Sequence, residues 1–258
     1  MIKLVLLPGM DGTGELFRDF VAALPEGSET VVAHYPGDRR LRYAGLMEFV
    51  LGAVAVISGS SANSANSATS ATSTAAPFCL VAESFSTPLA IQYAATNPPN
   101  LKGLVLCAGF CTSPLQGWRR TLAFGLAQFI FWLPLPGFFV EMLLAGPNAP
   151  RGLVTAVKAA ASWVEPEVMA GRVRDVLTCD VRAALAKVSV PILYLQAAQD
   201  QLVSPDCLAE AQRIKPEETV VVDGPHLLMQ REPKLCADVV VRFVQGDRMK
   251  AAQGLPVA

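Results

Sequence analysis

The chain has 258 residues and a formal net charge of −1. That length suits one domain, or a domain with a modest insertion, and the balanced charge excludes a general electrostatic pull toward nucleic acid. Hydrophobic residues make up 52% and charged residues 17%, an apolar excess that needs a location.

Ile2 to Leu7 is a continuous apolar run, the pattern of a strand covered on both faces. It is too short for the core of a signal peptide, and a cytoplasmic location is expected. The loop Pro8-Gly9-Met10-Asp11-Gly12-Thr13-Gly14 leads into a helical pattern at Leu16, Phe17, Phe20, Val21 and Leu24. It is not a dinucleotide fingerprint, because Phe17 stands where the third glycine belongs, and no Walker lysine follows. Thr30 to Ala33 reads as a second strand, followed by His34, and Leu41 to Ile57 as a helix. Ser58 to Ala76 consists almost wholly of Ser, Ala, Asn and Thr. Lacking apolar side chains to offset ordering entropy, it is expected to be a mobile surface loop.

Phe78-Cys79-Leu80-Val81-Ala82-Glu83-Ser84-Phe85-Ser86 then runs a buried strand into a serine flanked at two positions by small residues. An amphipathic segment from Leu89 to Thr96 follows. Strand, sharp turn with serine at its tip, and helix is the layout of a nucleophile elbow. Ala82 and Ser86 occupy the usual glycine positions, which predicts a strained turn and a second hydroxyl near the site.

Leu101 to Cys107, Pro191 to Ala198 and Thr219 to Val222 complete six predicted strands, and Leu235 to Val244 is a closing helix. The alternation predicts an α/β fold with a mainly parallel sheet and helices on both faces. It stops from about Thr112 to Lys187, which reads as an inserted helical cap reaching to about Asp180. The expected organisation is thus core 1–111, cap 112–180 and core 181–258.

Within the cap, Thr121 to Val140 carries no charge. Pro134, Pro136 and Gly137 divide the run into pieces too short to span a bilayer, so a hairpin packed on the core is expected. Some of its side chains would line an acyl pocket. Trp118-Arg119-Arg120 would flank a weak contact with a membrane interface. The six cysteines form no Cys-x-x-Cys pair, so neither a disulfide framework nor a metal site is expected.

Serine needs a base, and the chain has two histidines. His226 lies in a loop after the last strand; His34 follows the second. The imidazole needs a carboxylate, and Asp200 ends the fifth strand on the carboxyl edge, where parallel sheets place ligands. Asp180, Asp206 and Asp223 compete for that role; Asp223 is the nearest rival, although it suits the turn before His226. The order Ser84, Asp200, His226 is that of α/β-hydrolases. Oxyanion donors are expected from the backbone N–H groups of Phe85 and Met10.

With these landmarks, namely Leu7-Pro8-Gly9-Met10-Asp11-Gly12, the Ser84 elbow, Ala197-Ala198-Gln199-Asp200 and Gly224-Pro225-His226, the chain resembles the α/β-hydrolase superfamily. More narrowly, it resembles a bacterial esterase/lipase-like branch and is similar to the hydrolase-like domain of plant phytyl ester synthases. Pro8 stands where the oxyanion loop often has histidine, and the match begins at the family's third strand. The resemblance implies a serine carboxylesterase that needs no cofactor and takes a small-molecule ester, and the apolar cap favours lipophilic acyl groups, short to medium by default. An acyltransferase or thioesterase would use the same triad; a non-catalytic binding module is the reading of another class.

Overall fold

The computed structural model describes residues 1–59, 76–132 and 136–246. Its first half alternates strands and helices: β1 (Lys3–Leu7), α1 (Arg18–Ala22), β2 (Glu29–Val32), α2 (Tyr43–Ser58), β3 (Phe78–Glu83), α3 (Thr87–Ala94) and β4 (Leu101–Cys107). The second half runs through α4 (Gly117–Ile130), α5 (Gly137–Phe139) with a π-helical turn at Val140–Ala145, α6 (Arg151–Ser162), α7 (Pro166–Thr178) and α8 (Arg182–Leu185). It ends with β5 (Ile192–Ala197), α9 (Pro205–Ile214), β6 (Glu218–Val222), α10 (Leu228–Arg231) and α11 (Pro233–Gln245).

The six strands form one sheet in the order β2-β1-β3-β4-β5-β6, and every pairing is parallel. Alternate residues of each strand enter opposite core layers. Val5, Leu7, Leu80, Ala82, Leu104 and Leu106 pack with α2, α3, α8 and α9. Leu4, Leu6, Cys79, Val81, Val105 and Cys107 pack under Phe17, Phe20 and α11. Both faces are covered, which explains why β1 and β3 read as unbroken apolar runs. This is the α/β-hydrolase architecture expected from the sequence.

The chain moves outward from β1 to the edge strand β2, then returns through α2 to place β3 on the other side of β1. That reversal is a topological switch point. The loops after β1 and β3 diverge there and leave a crevice at the carboxyl edge.

Between β4 and β5 the described residues contain helices and no extended strand. A lone antiparallel bridge between Thr112 and Asp180 draws the two ends of this insertion together. The apolar run differs from the hairpin expected. Helix α4 starts at Gly117, takes in Arg119 and Arg120, and packs chiefly on α7 rather than on the sheet. Leu122, Phe124 and Leu126 therefore stay exposed, and Phe138 and Phe139 of α5 are exposed as well. Among the described residues no helix is long and apolar enough to cross a membrane. The expectation of a mobile loop at Ser58 to Ala76 falls mostly on residues 60–75, outside the described residues.

Candidate active site

Strand β3 delivers Ser84 at the switch point with a backbone φ of 47°. A side chain in that left-handed region costs on the order of 1–3 kcal/mol, so the surrounding structure must impose it. Thr87 Oγ1 donates to the Ser84 carbonyl at 2.8 Å, and the Tyr43 hydroxyl donates to the Phe85 carbonyl at 2.9 Å. The Phe85 ring is stacked on Tyr43 with centroids 5.0 Å apart. Ala82 and Ser86 are wholly buried on either side, where larger side chains would collide.

His226 follows β6 and is buried. Its Nε2 lies 2.8 Å from Ser84 Oγ, and its Nδ1 lies 2.8 Å from Asp200 Oδ2. The other oxygen, Asp200 Oδ1, accepts the backbone N–H groups of Leu202 and Val203 at 2.8 and 2.9 Å. Those two bonds fix the carboxylate, and through it the Nδ1–H tautomer that leaves Nε2 free to accept the serine proton.

The rivals lie elsewhere. Asp223 Oδ1 accepts from Gln199 Nε2 at 2.7 Å, bridging the loops after β5 and β6 without touching the imidazole. Asp180 pairs with Arg182 at 2.6 Å, Asp206 sits in the first turn of α9, and His34 is exposed.

The loop after β1 supplies the facing wall. The Gly12 N–H donates to the Gly9 carbonyl at 3.1 Å, which orients the Gly9–Met10 peptide and turns its N–H away from that bond. No described group accepts from the Met10 N–H. Phe85 lies in the first turn after β3, where backbone N–H groups have no partner within the helix. Gly12 has φ 72°, and a Cβ there would come within 2.9 Å of Tyr35 Cβ and 3.0 Å of Arg172 Nη1. Only glycine lets these two side chains close on the loop.

Sequence reasoning missed several contacts of this assembly. Ser86 Oγ donates to the Pro8 carbonyl and also bonds the Tyr35 hydroxyl at 2.9 Å, so the hydroxyl expected near the site braces the turn at Ser84 against the loop after β1. Arg172, from α7, donates to the carbonyls of Met10, Asp11 and Pro36 at 2.6, 3.0 and 2.9 Å. One signal for it existed. Val168, Arg172 and Val176 are four apart and share one helix face, so a charge sits on an otherwise apolar stripe.

Glu83, just before Ser84, is also buried. Burial pushes its carboxyl up to about 7, with nearby Asp11 adding to the rise and His226 and the Gln230 hydrogen bond opposing it. Gln230 Nε2 reaches Glu83 Oε2 at 3.3 Å, whereas Oε1 of each residue has no hydrogen-bond partner.

The segment between β4 and β5 meets the surroundings of the site at two places. The Leu227 N–H donates to the Leu144 carbonyl at 2.9 Å, and Arg231 Nη1 donates to the Ala145 carbonyl at 2.6 Å. On the other side, Val164, Val168 and Met169 form an apolar cluster with Phe131 and Met10. Among the described residues no group of His, Cys, Asp and Glu could hold a metal ion.

The family model of the alpha/beta hydrolases matches residues 4–239. No curated protein has a sequence that matches this chain significantly. The chain superposes on a hydrolase from Oleispira antarctica at a TM-score of 0.75, with 14% identity, covering 95% of this chain and 92% of the other. A bromoperoxidase from Bacillus anthracis gives a TM-score of 0.75, 14% identity and coverage of 95% and 92%. A thermophilic esterase from Thermogutta terrifontis gives 0.71, 17% identity and coverage of 95% and 90%. At such identities these structures share the fold, and chemistry has to be argued from the site.

Proposed function

This chain belongs to the alpha/beta hydrolase family, and from that premise we propose that it is a serine carboxylesterase acting on short-to-medium or lipophilic acyl esters. The observation that carries the reading is the unbroken line from Ser84 Oγ through His226 to Asp200, with both links at 2.8 Å. Ser84 Oγ attacks the ester carbonyl as His226 Nε2 takes its proton, and Asp200 stabilises the resulting imidazolium. The N–H groups of Met10 and Phe85 hold the oxyanion. His226 then protonates the departing alcohol, and a water molecule, activated by the same imidazole, hydrolyses the acyl-enzyme.

The acyl chain lies against Met10, Val168 and Met169, a wall that favours lipophilic groups. The exposed Trp118, Leu122 and Phe138 of the insertion favour a lipophilic source for the substrate, with weak contact at a membrane interface. They also favour a second reading: an apolar alcohol or thiol at that surface intercepts the acyl-enzyme, giving transfer instead of hydrolysis.

Chromogenic esters of graded chain length, assayed with and without a long-chain alcohol, test both readings. Ser84→Ala and His226→Ala are each expected to lower turnover by about 10⁴-fold. A Ser84→Ala variant that keeps its turnover overturns the assignment. Ester formation in the presence of the alcohol identifies transfer.

A further inference from the structure

Arg172 is a cation in an unusual place. It is 1% exposed, and no described carboxylate lies within ion-pair distance of it. Removing a guanidinium from water costs several kcal/mol, and carbonyl dipoles return only part of that. A clamp needed only to tie the insertion to the core could be built from neutral donors at lower cost.

Its contacts indicate what the charge is for. Nη1 donates to the carbonyl of Met10, whose own N–H is one of the two oxyanion donors. The guanidinium carbon lies 5.9 Å from the centroid of the Phe85 ring, and Phe85 carries the other. Nη1 and Nη2 also reach the Asp11 and Pro36 carbonyls, so the group spans the loops after β1 and β2. The acidic neighbour Asp11 attracts the guanidinium without bonding to it, its Oδ1 accepting the Thr13 N–H at 2.9 Å. The guanidinium is thus bonded to the Met10 carbonyl and packed against the Phe85 ring, with no carboxylate bonded to it, and the substrate oxygen becomes negative only as the tetrahedral intermediate forms. A fixed positive charge in a water-poor site favours that state over the neutral ester.

We propose that Arg172 is a positioning residue for the reaction: it holds the Met10–Asp11 backbone in line with Ser84 and directs a buried positive charge at the developing oxyanion. This inference rests on the serine esterase reading.

The test uses the full chain, with Arg172→Gln and Arg172→Lys beside the wild type and Ser84→Ala. Hydrolysis of p-nitrophenyl butyrate gives kcat and KM. Inhibition is measured with an alkyl trifluoromethyl ketone and with the matching secondary alcohol. The ketone accepts Ser84 Oγ at its carbonyl carbon, the serine proton passes to His226, and the oxygen becomes an alkoxide in the oxyanion hole. The alcohol fills the pocket without forming that charge.

Arg172→Gln is expected to lower kcat about 10²-fold with KM changed less than about threefold. The inhibition constant of the ketone should rise by a similar factor, and that of the alcohol should stay level. Arg172→Lys keeps the charge but cannot bridge three carbonyls, so it should fall between the two. If Arg172→Gln fails to fold, the lysine variant carries the test, with at least a tenfold loss of kcat and of ketone affinity expected. A folded variant whose kcat and ketone affinity match the wild type, or one that weakens ketone and alcohol equally, overturns the proposal. Wild-type turnover that does not depend on Ser84 overturns the esterase reading and this inference with it.

Discussion

Ser86 and Pro8 lie 78 residues apart, and the Ser86 hydroxyl donates to the Pro8 carbonyl while also bonding the Tyr35 hydroxyl. The loop that positions Met10 and the turn that positions Ser84 are therefore held by one buried oxygen. Removing it leaves a buried carbonyl and a buried phenol without that partner, a loss of about 1–3 kcal/mol. Ser86→Ala should lower the midpoint of urea unfolding accordingly, and Tyr35→Phe should cost less. Because the two share one network, the double variant should cost less than the sum, which a double-mutant cycle measures. Strict additivity would separate the two hydroxyls.

The carboxylate assignment has a direct test in the two aspartates nearest the imidazole loop. Asp200 Oδ2 contacts His226, whereas Asp223 contacts Gln199. Asp200→Asn replaces the acceptor for Nδ1–H with a group that can donate, favouring the wrong tautomer. A fall in kcat on the order of 10³–10⁴ is expected, with Asp223→Asn within about threefold of wild type. The reverse outcome would move the acid to Asp223.

The sheet and the three convergent side chains were legible because each depends on local signals. Apolar runs of strand length marked β1, β3 and β4, and turn residues placed Ser84, Asp200 and His226 just beyond strand ends. What stayed hidden depends on contacts between distant elements. Nothing near Arg172 in the sequence says that its helix lies on the Met10 loop. The sequence places the Ser86 hydroxyl near the site but does not show that it ties the elbow to Pro8. The insertion was legible as helical but not in its packing, since an uncharged run cannot distinguish burial against the sheet from burial against α7.

Gly146 sits where the insertion meets the His226 loop. Its φ of 75° and ψ of 172° lie in a region almost restricted to glycine. A Cβ there would lie 2.9 Å from Pro225 Cβ and 3.0 Å from Pro225 Cγ, one residue before His226. Gly146→Ala is therefore expected to push the loop away from Ser84. The expected loss in kcat is about 10- to 100-fold, since a displacement near 1 Å carries that cost. Gly152, where an added Cβ meets nothing within 4 Å, supplies the control: Gly152→Ala should retain activity.

Glu83 is expected to make the protein's stability depend on pH. Its carboxyl is raised from 4.5 to about 7, first by burial. The groups facing it are Asp11 and His226, Gln230 as a hydrogen-bond donor, and the Cys107 and Cys236 thiols. Below pH 4.5 both folded and unfolded chains carry the proton, and burial of the neutral acid costs little. As the pH rises toward 7, the unfolded chain releases its proton first, so this group's contribution to stability falls and then levels off. A shift of that size corresponds to about 3 kcal/mol. Glu83→Gln keeps the volume and the polar contact with Gln230 but cannot titrate. Urea midpoints for the two proteins should therefore converge near pH 4.5 and separate toward pH 8, with the glutamine variant the more stable. Parallel curves across that interval would mean that Glu83 stays ionised in its buried setting, and the unpartnered Oε1 would then need another source of compensation.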